Sequence, residues 1–203
     1  MVSQHRRFHY LLAWSLCLAA VFIFPLRPSA DATAIAGADH YAKEELEAAY
    51  LYNFLLFVRS PRPASENRLT ICILGDTVLG KNLQPMVGKK IKGSPNRLQV
   101  KIVTTNLQRD DITDCSLLFI SASYKKKLPK ILKDLRGLPI LTVSDMPEFV
   151  AQGGMLGLVE KDSRLRWQIN RYAADKVGLA LHSQLLRNAV KVVDKPSPDG
   201  ETP

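Results

Sequence analysis

Residues 114–145 read D-C-S-L-L-F-I-S-A-S-Y-K-K-K-L-P-K-I-L-K-D-L-R-G-L-P-I-L-T-V-S-D. Two short apolar runs, Ser116–Ser121 and Pro139–Val143, flank a helical stretch, Lys125–Leu135, that Gly137 closes. Pro139 is tolerable in a strand only at its start. A strand, a helix and a second strand in this order predict two parallel strands joined by a crossover helix. Upstream the same rhythm repeats: Arg68–Leu74 reads as a buried strand, Thr77–Leu83 as a short helix and Leu98–Thr104 as a second strand. The order β-α-β-β-α-β predicts a single-domain α/β fold, its sheet largely parallel or mixed and flanked by helices.

Downstream the character changes. Met155–Glu160 and Arg164–Asn170, joined by Lys161-Asp162-Ser163, read as a β-hairpin. Leu165, Trp167 and Ile169 alternate with Arg164, Arg166, Gln168 and Asn170, which predicts one buried and one wet face. Asn170 is placed to cap a helix beginning at Arg171. Helical sequence is expected to continue to about Val193, with a break near Gly178 and a stripe of Leu181, Leu185, Leu186, Ala189 and Val190. The polar residues 194–203 are expected to be a disordered tail.

Upstream of the sheet, a helix is expected from about Ala42 to Arg59, ahead of Pro61 and Pro63. Leu46, Ala49, Tyr50, Asn53, Phe54, Phe57 and Val58 share one face. Leu51, Tyr52, Leu55 and Leu56 fill much of the rest, so Ala48–Val58 holds one polar residue in eleven. A helix apolar on most sides is covered on most sides, by its own core or by a partner.

The first 32 residues read as a secretory signal peptide: Arg6 and Arg7, a fifteen-residue uncharged run from Tyr10 to Phe24, then Ala30-Asp31-Ala32 as a cleavage site. Ala34-Ile35-Ala36 is a second candidate, and residues 33–40 are expected to be a flexible lead-in to a domain at 41–193. The run is short of the roughly 20 residues that cross a bilayer. The chain carries a net charge of +9 over 203 residues. Export turns that charge away from nucleic acid and toward anionic envelope surfaces. With 46% hydrophobic residues the chain is too apolar for global disorder.

Chemistry-bearing motifs are few. Gly75-Asp76-Thr77-Val78-Leu79-Gly80-Lys81-Asn82 has the spacing of a phosphate-binding loop. Asn82 stands where a metal-binding hydroxyl is needed, so no nucleotide and no cofactor is expected. There is no G-x-S-x-G elbow, and nothing at sequence level assembles nucleophile, base and orienter. Asp110, Asp111 and Asp114 read as caps rather than metal ligands. After cleavage, Cys72 and Cys115 remain, an even number in an oxidising compartment. Each lies at or near the start of a strand, and a disulfide between them is favoured over two buried thiols.

The chain also resembles a known family. Glu45–Val58, E-L-E-A-A-Y-L-Y-N-F-L-L-F-V, is similar to the "K-A-A-Y-L-Y-N-F-x-x-F" helix that opens the YfiR-like family. Leu69–Gly75 and Asp114–Ser121 resemble its first and later core strands. Ile140–Asp145, Phe149 and Gly153-Gly154-Met155 resemble its "L-T-V-S-D…F…G-G-M" signature, and Asn170 with Leu179–Leu186 its closing segment. The resemblance implies a periplasmic, non-enzymatic regulator that restrains an inner-membrane diguanylate cyclase, lowering cyclic di-GMP and biofilm formation. It also implies a disulfide at Cys72 and Cys115. A second cysteine pair found in some members is absent near the G-G-M segment.

The expected partner is therefore the periplasmic domain of an inner-membrane protein, with a homodimer left open. Leu51, Leu55, Phe149, Gly153, Gly154 and Met155 are the candidate partner-binding residues. The alternative is a periplasmic ligand-binding domain serving a sensor kinase or envelope transport system, its pocket at the strand C-termini near Gly75 and Asp145.

Overall fold

The structure, a computed structural model, describes residues 32–62, 67–75, 78–103 and 109–195. The chain divides into two units, 1–38 and 39–203, and the second carries the fold. The leader at 1–32 lies outside the described residues except for Ala32, and so does the tail beyond Lys195.

Helix α1 spans Ala32–Phe57. The segment A-T-A-I-A-G-A-D-H-Y-A-K is rich in alanine, the strongest helix former. β1 (Val58–Arg59) ends it. β2 (Arg68–Leu74), α2 (Leu79–Leu83) and β3 (Arg97–Val103) follow, then α3 (Arg109–Ile112) and β4 (Cys115–Ile120). A 3-10 turn at Ala122–Lys127 leads into α4 (Leu128–Asp134) and β5 (Leu141–Ser144). The hairpin is β6 (Leu156–Lys161) and β7 (Arg164–Asn170), turning through Asp162 and Ser163 at φ of +53° and +54°.

The main sheet runs β3-β2-β4-β5-β6-β7-β9. Its first five strands are mutually parallel, as the β-α-β rhythm predicts. β7 returns antiparallel to β6. Alternation splits the sheet into two cores. Ile71, Ile73, Leu117, Phe119, Leu141 and Val143 face α1. Cys72, Leu74, Leu118 and Ile120 face α4 through Leu128, Ile131 and Leu135.

Cys72 and Cys115 are bridged, with Cα atoms 5.7 Å apart. Cys115 opens β4, whereas Cys72 lies inside β2 rather than at its start. Thr70 pairs with Cys115 and Ile71 with Leu117, so Ser116 is an extra residue on β4. Its hydroxyl accepts from the Thr70 N–H at 3.2 Å. The disulfide thus spans a β-bulge, a place where ladder pairing is locally interrupted.

The closing segment departs from the expected helix. α5 (Arg171–Lys176) starts as predicted, with Asn170 Oδ1 accepting from the Ala173 N–H at 2.9 Å. Gly178, at φ of +75°, then turns the chain. β8 (Ala180–Leu181) pairs antiparallel with β1, and α6 (Ser183–Arg187) is capped by the His182 side chain. β9 (Lys191–Val193) joins β7 in parallel. A positive-φ glycine ends a helix readily, and the β-branched Val192 and Val193 fit a pleated sheet.

Candidate functional site

Helix α1 has two apolar faces, and periodicity alone does not say which turns inward. The structure buries Ala48, Leu51, Phe54 and Leu55 against the sheet. Leu51 is 0% exposed and Leu55 8%. Of the two coverings left open for this helix, its own core or a partner, Leu51 and Leu55 take the core in this structure. The other face stays outside: Leu46 is 45% exposed, Asn53 is exposed, and Tyr50 and Phe57 are half-buried.

That outer face continues onto the hairpin and the closing segment. The Tyr50 ring meets Trp167 edge-on at 5.4 Å, and Phe54 meets the same indole at 5.8 Å. Both polar tips are tied down, Tyr50 Oη donating to the Leu165 carbonyl at 3.3 Å and Trp167 Nε1 to the Leu185 carbonyl at 3.0 Å. The Val190 N–H donates to the Trp167 carbonyl at 2.9 Å, which sets an exposed valine beside the platform. Tyr50, Phe57, Trp167, Gln184 and Asn188 rim a recess of about 170 Å³. Aromatic side chains with fixed rings and satisfied polar ends present contact area with little entropy left to lose. The alternation puts Tyr50 and Trp167 on core faces; in the packed arrangement both are half-buried among the described residues.

The G-G-M segment is a structural clasp. Gly153 sits at φ of +99°, in the region that favours glycine. A Cβ on Gly154 would lie 2.2 Å from Phe149 Cε1. The Met155 N–H donates to Thr142 Oγ1 at 3.0 Å, and the Met155 carbonyl accepts from the Asn170 N–H at 2.7 Å. Phe149 is 1% exposed and Met155 9%, and Gly154 is buried. Among these sequence-chosen residues only Gly153 is exposed, so the segment has no apolar side chain free to anchor a partner in this conformation.

Gly75 packs closely on the loop after β4, since a Cβ there would lie 2.7 Å from Ser121 Cβ. Asp76 and Thr77 of the glycine-bounded motif lie outside the described residues. A recess of about 410 Å³ lies at the other end of the strands, lined by Arg68, Thr70, Gln99, Lys101 and Asp114. Its cations are engaged elsewhere in part, Lys101 Nζ donating to the Asp111 carbonyl at 2.5 Å.

One charged group lies within the apolar stripe of α1. Glu47, one turn before Leu51, is 3% exposed. Burial, reinforced by the negative charge of Asp145 beyond β5, pushes its carboxyl up to about 7 despite the opposing pull of Lys43. The opening motif quoted above has lysine where this chain has Glu47. That departure was the available sequence signal.

Among curated proteins nothing matches the chain. Two solved structures share 11% identity with it. One is the ABC domain in complex with L-Trp from Streptococcus pneumonia, at a TM-score of 0.46 over 62% of this chain and 55% of that one. The other is a conserved domain protein from Vibrio cholerae, at a TM-score of 0.45 over 73% of this chain and 60% of that one. The chain thus spans little more than half the length of these structures. The sequence profile of the YfiR/HmsC-like family (DUF4154) matches residues 44–190, from the opening turns of α1's buried face to the edge of β9. By that match over most of its length, the chain belongs to the YfiR/HmsC-like family.

Proposed function

We propose that this protein is exported to the periplasm and there represses an inner-membrane diguanylate cyclase by docking on its periplasmic domain, without catalysing a reaction of its own. Family membership supports the class of role. The observation that carries the docking site is the platform of Leu46, Tyr50, Trp167 and Val190, exposed or half-buried among the described residues. Tyr and Trp dominate the energetics of many interfaces, and a central apolar cluster with a polar rim, here Asn53, Gln184 and Asn188, is the usual anatomy. A non-catalytic role agrees with how the chain spends its reactive groups. Cys72 and Cys115 are joined, His182 caps α6, and Ser144 and Thr142 bond backbone groups.

The test is direct binding of the mature chain to the cyclase's purified periplasmic domain. Leu46→Asp and Val190→Asp should each weaken binding at least tenfold while melting as the wild type does. Wild-type affinity in both variants refutes this docking face. The recess beside Trp167 favours a second reading, a small-ligand site serving a sensor kinase or transport system. In that case the same variants would leave cyclase binding absent throughout, and gene deletion would leave cyclic di-GMP unchanged.

A further inference from the structure

Residues 77–109 hold seven lysines and arginines and no aspartate or glutamate, so the run is not neutralised from within. The fold gathers its middle onto the outer edge of the sheet, where β3 is the terminal strand. The Leu98 N–H donates to the Lys89 carbonyl at 3.0 Å and the Gly88 N–H to the Leu98 carbonyl at 2.8 Å, which lays this segment along the edge. Lys90 bridges to Arg97, and Arg97 is in register with Arg68 on β2. Three cations thus fall side by side across neighbouring segments, a juxtaposition that destabilises unless an anion faces it. The loop carrying Lys92 is built rather than loose. The Ile91 N–H donates to the Asn96 carbonyl at 2.8 Å, and Ile91 itself is buried. Arg68, Lys89, Lys90, Lys92 and Arg97 are all exposed. Acids resume only at α3 with Asp110 and Asp111, and Asp114 shares its recess with Arg68 and Lys101.

Apolar side chains lie among these cations. Of the large hydrophobics exposed among the described residues, Leu46 and Val190 belong to the docking platform, whereas Val87 and Ile102 belong to this edge. Val87 immediately precedes the bonded Gly88, and Ile102 lies on β3 itself, 50% exposed.

We propose that the β3 edge is a membrane-docking surface, its cations lying on the anionic headgroups of a phospholipid bilayer and Val87 and Ile102 entering the interface. Charge complementarity selects an anionic occupant. It excludes a second copy of the same edge, whose cations would face their own kind. A bilayer offers both a negative surface and an apolar boundary, and so matches cations interleaved with exposed aliphatics better than an acidic polypeptide does. The surface lies far from the docking platform. β3 and β7 are five steps apart in the sheet, roughly 24 Å at the usual strand spacing. A chain resting on lipid by β3 therefore keeps Tyr50 and Trp167 free for a membrane-anchored partner. That last consequence rests on the function proposed above; lipid binding itself does not.

The test uses the mature chain alone, so its failure is separable from failure of the cyclase proposal. Co-sedimentation compares vesicles of phosphatidylcholine with vesicles carrying about 30% phosphatidylglycerol, and binding should be confined to the anionic ones. It should fall steeply between about 50 and 500 mM salt. Each cation near such a surface contributes roughly fivefold, so Lys89→Gln/Lys90→Gln/Lys92→Gln should lose on the order of 100-fold in affinity while melting as the wild type does. Lys125→Gln/Lys126→Gln/Lys127→Gln removes the same charge beyond the other end of the strands and should lose about threefold or less. Val87→Ser changes no charge and should weaken binding about threefold. Equal binding to both kinds of vesicle, indifference to salt, the same loss in both triple variants, or wild-type affinity in Val87→Ser overturns the proposal. So does failure to bind anionic vesicles together with capture of poly-glutamate that the Lys89/Lys90/Lys92 variant loses, which would give the edge to an acidic protein.

Discussion

Replacing Gly154 by alanine tests the clasp between the G-G-M segment and the second core. The new methyl would lie 2.2, 2.4 and 2.5 Å from three ring carbons of Phe149, far inside ordinary contact. Neither side yields easily. The Gly154 N–H is bonded to the Phe149 carbonyl at 2.9 Å, and the next residue is held on both sides by Thr142 and Asn170. Phe149 itself packs in the core that contains Met146, Leu118 and Ile131. Relief therefore requires the ring to leave its place. Overpacking costs about 1–3 kcal/mol, and full loss of a buried phenylalanine about 3–5 kcal/mol. We expect about 3 kcal/mol, read as a melting temperature lower by roughly 6–12 °C for a domain of this size. Trimming the ring should relieve the clash. In a double-mutant cycle with Phe149→Leu, the combined loss should fall short of the sum by about 1 kcal/mol or more. A Gly154→Ala protein melting within about 1 °C of wild type, or strictly additive losses, would refute the steric argument.

Three further outcomes follow from the packing. The Cys72–Cys115 bridge closes a loop of 43 residues, worth about 4 kcal/mol on the chain-entropy model, so the Cys72→Ala/Cys115→Ala chain should melt roughly 8–16 °C lower. An unchanged melt under non-reducing conditions would show the bridge contributes nothing. Leu51→Ala should cost about 2–5 kcal/mol in urea denaturation and Leu46→Ala less than about 0.5 kcal/mol; the reverse order would mean α1 is seated by its other face. Raising the pH from about 4.5 to above 7 should remove about 3 kcal/mol of stability through Glu47, and Glu47→Gln should be indifferent to it.

The parallel half of the sheet was legible because its signals are local. C-S-L-L-F-I and L-T-V-S are short apolar runs with a helix between them, and no distant residue is needed to read them. The hairpin and the Asn170 cap are local too, fixed by a tight turn and by one side chain three residues from its partner. The closing segment was not legible, because Ala180–Leu181 and Val192–Val193 become strands only through β1 and β7. Alone, Leu181, Leu185 and Leu186 keep helical spacing. The seating of α1 was ambiguous for a different reason. Leu51 and Leu55 are no more apolar than Leu46 and Phe57, so hydrophobicity cannot choose between the faces. Glu47 does not resolve it, since a carboxylate on the buried side runs against the apolar pattern.

The claim at the centre of this account is that the outer face of α1 carries repression of a diguanylate cyclase. It is tested most directly by intracellular cyclic di-GMP in a strain lacking the gene, complemented with wild type or with Leu46→Asp at equal periplasmic abundance. The account predicts that deletion raises cyclic di-GMP, that wild type restores it, and that the folded Leu46→Asp chain does not. Full restoration by Leu46→Asp would contradict the docking face, and an unchanged level in the deletion strain with the cyclase expressed would contradict the function itself.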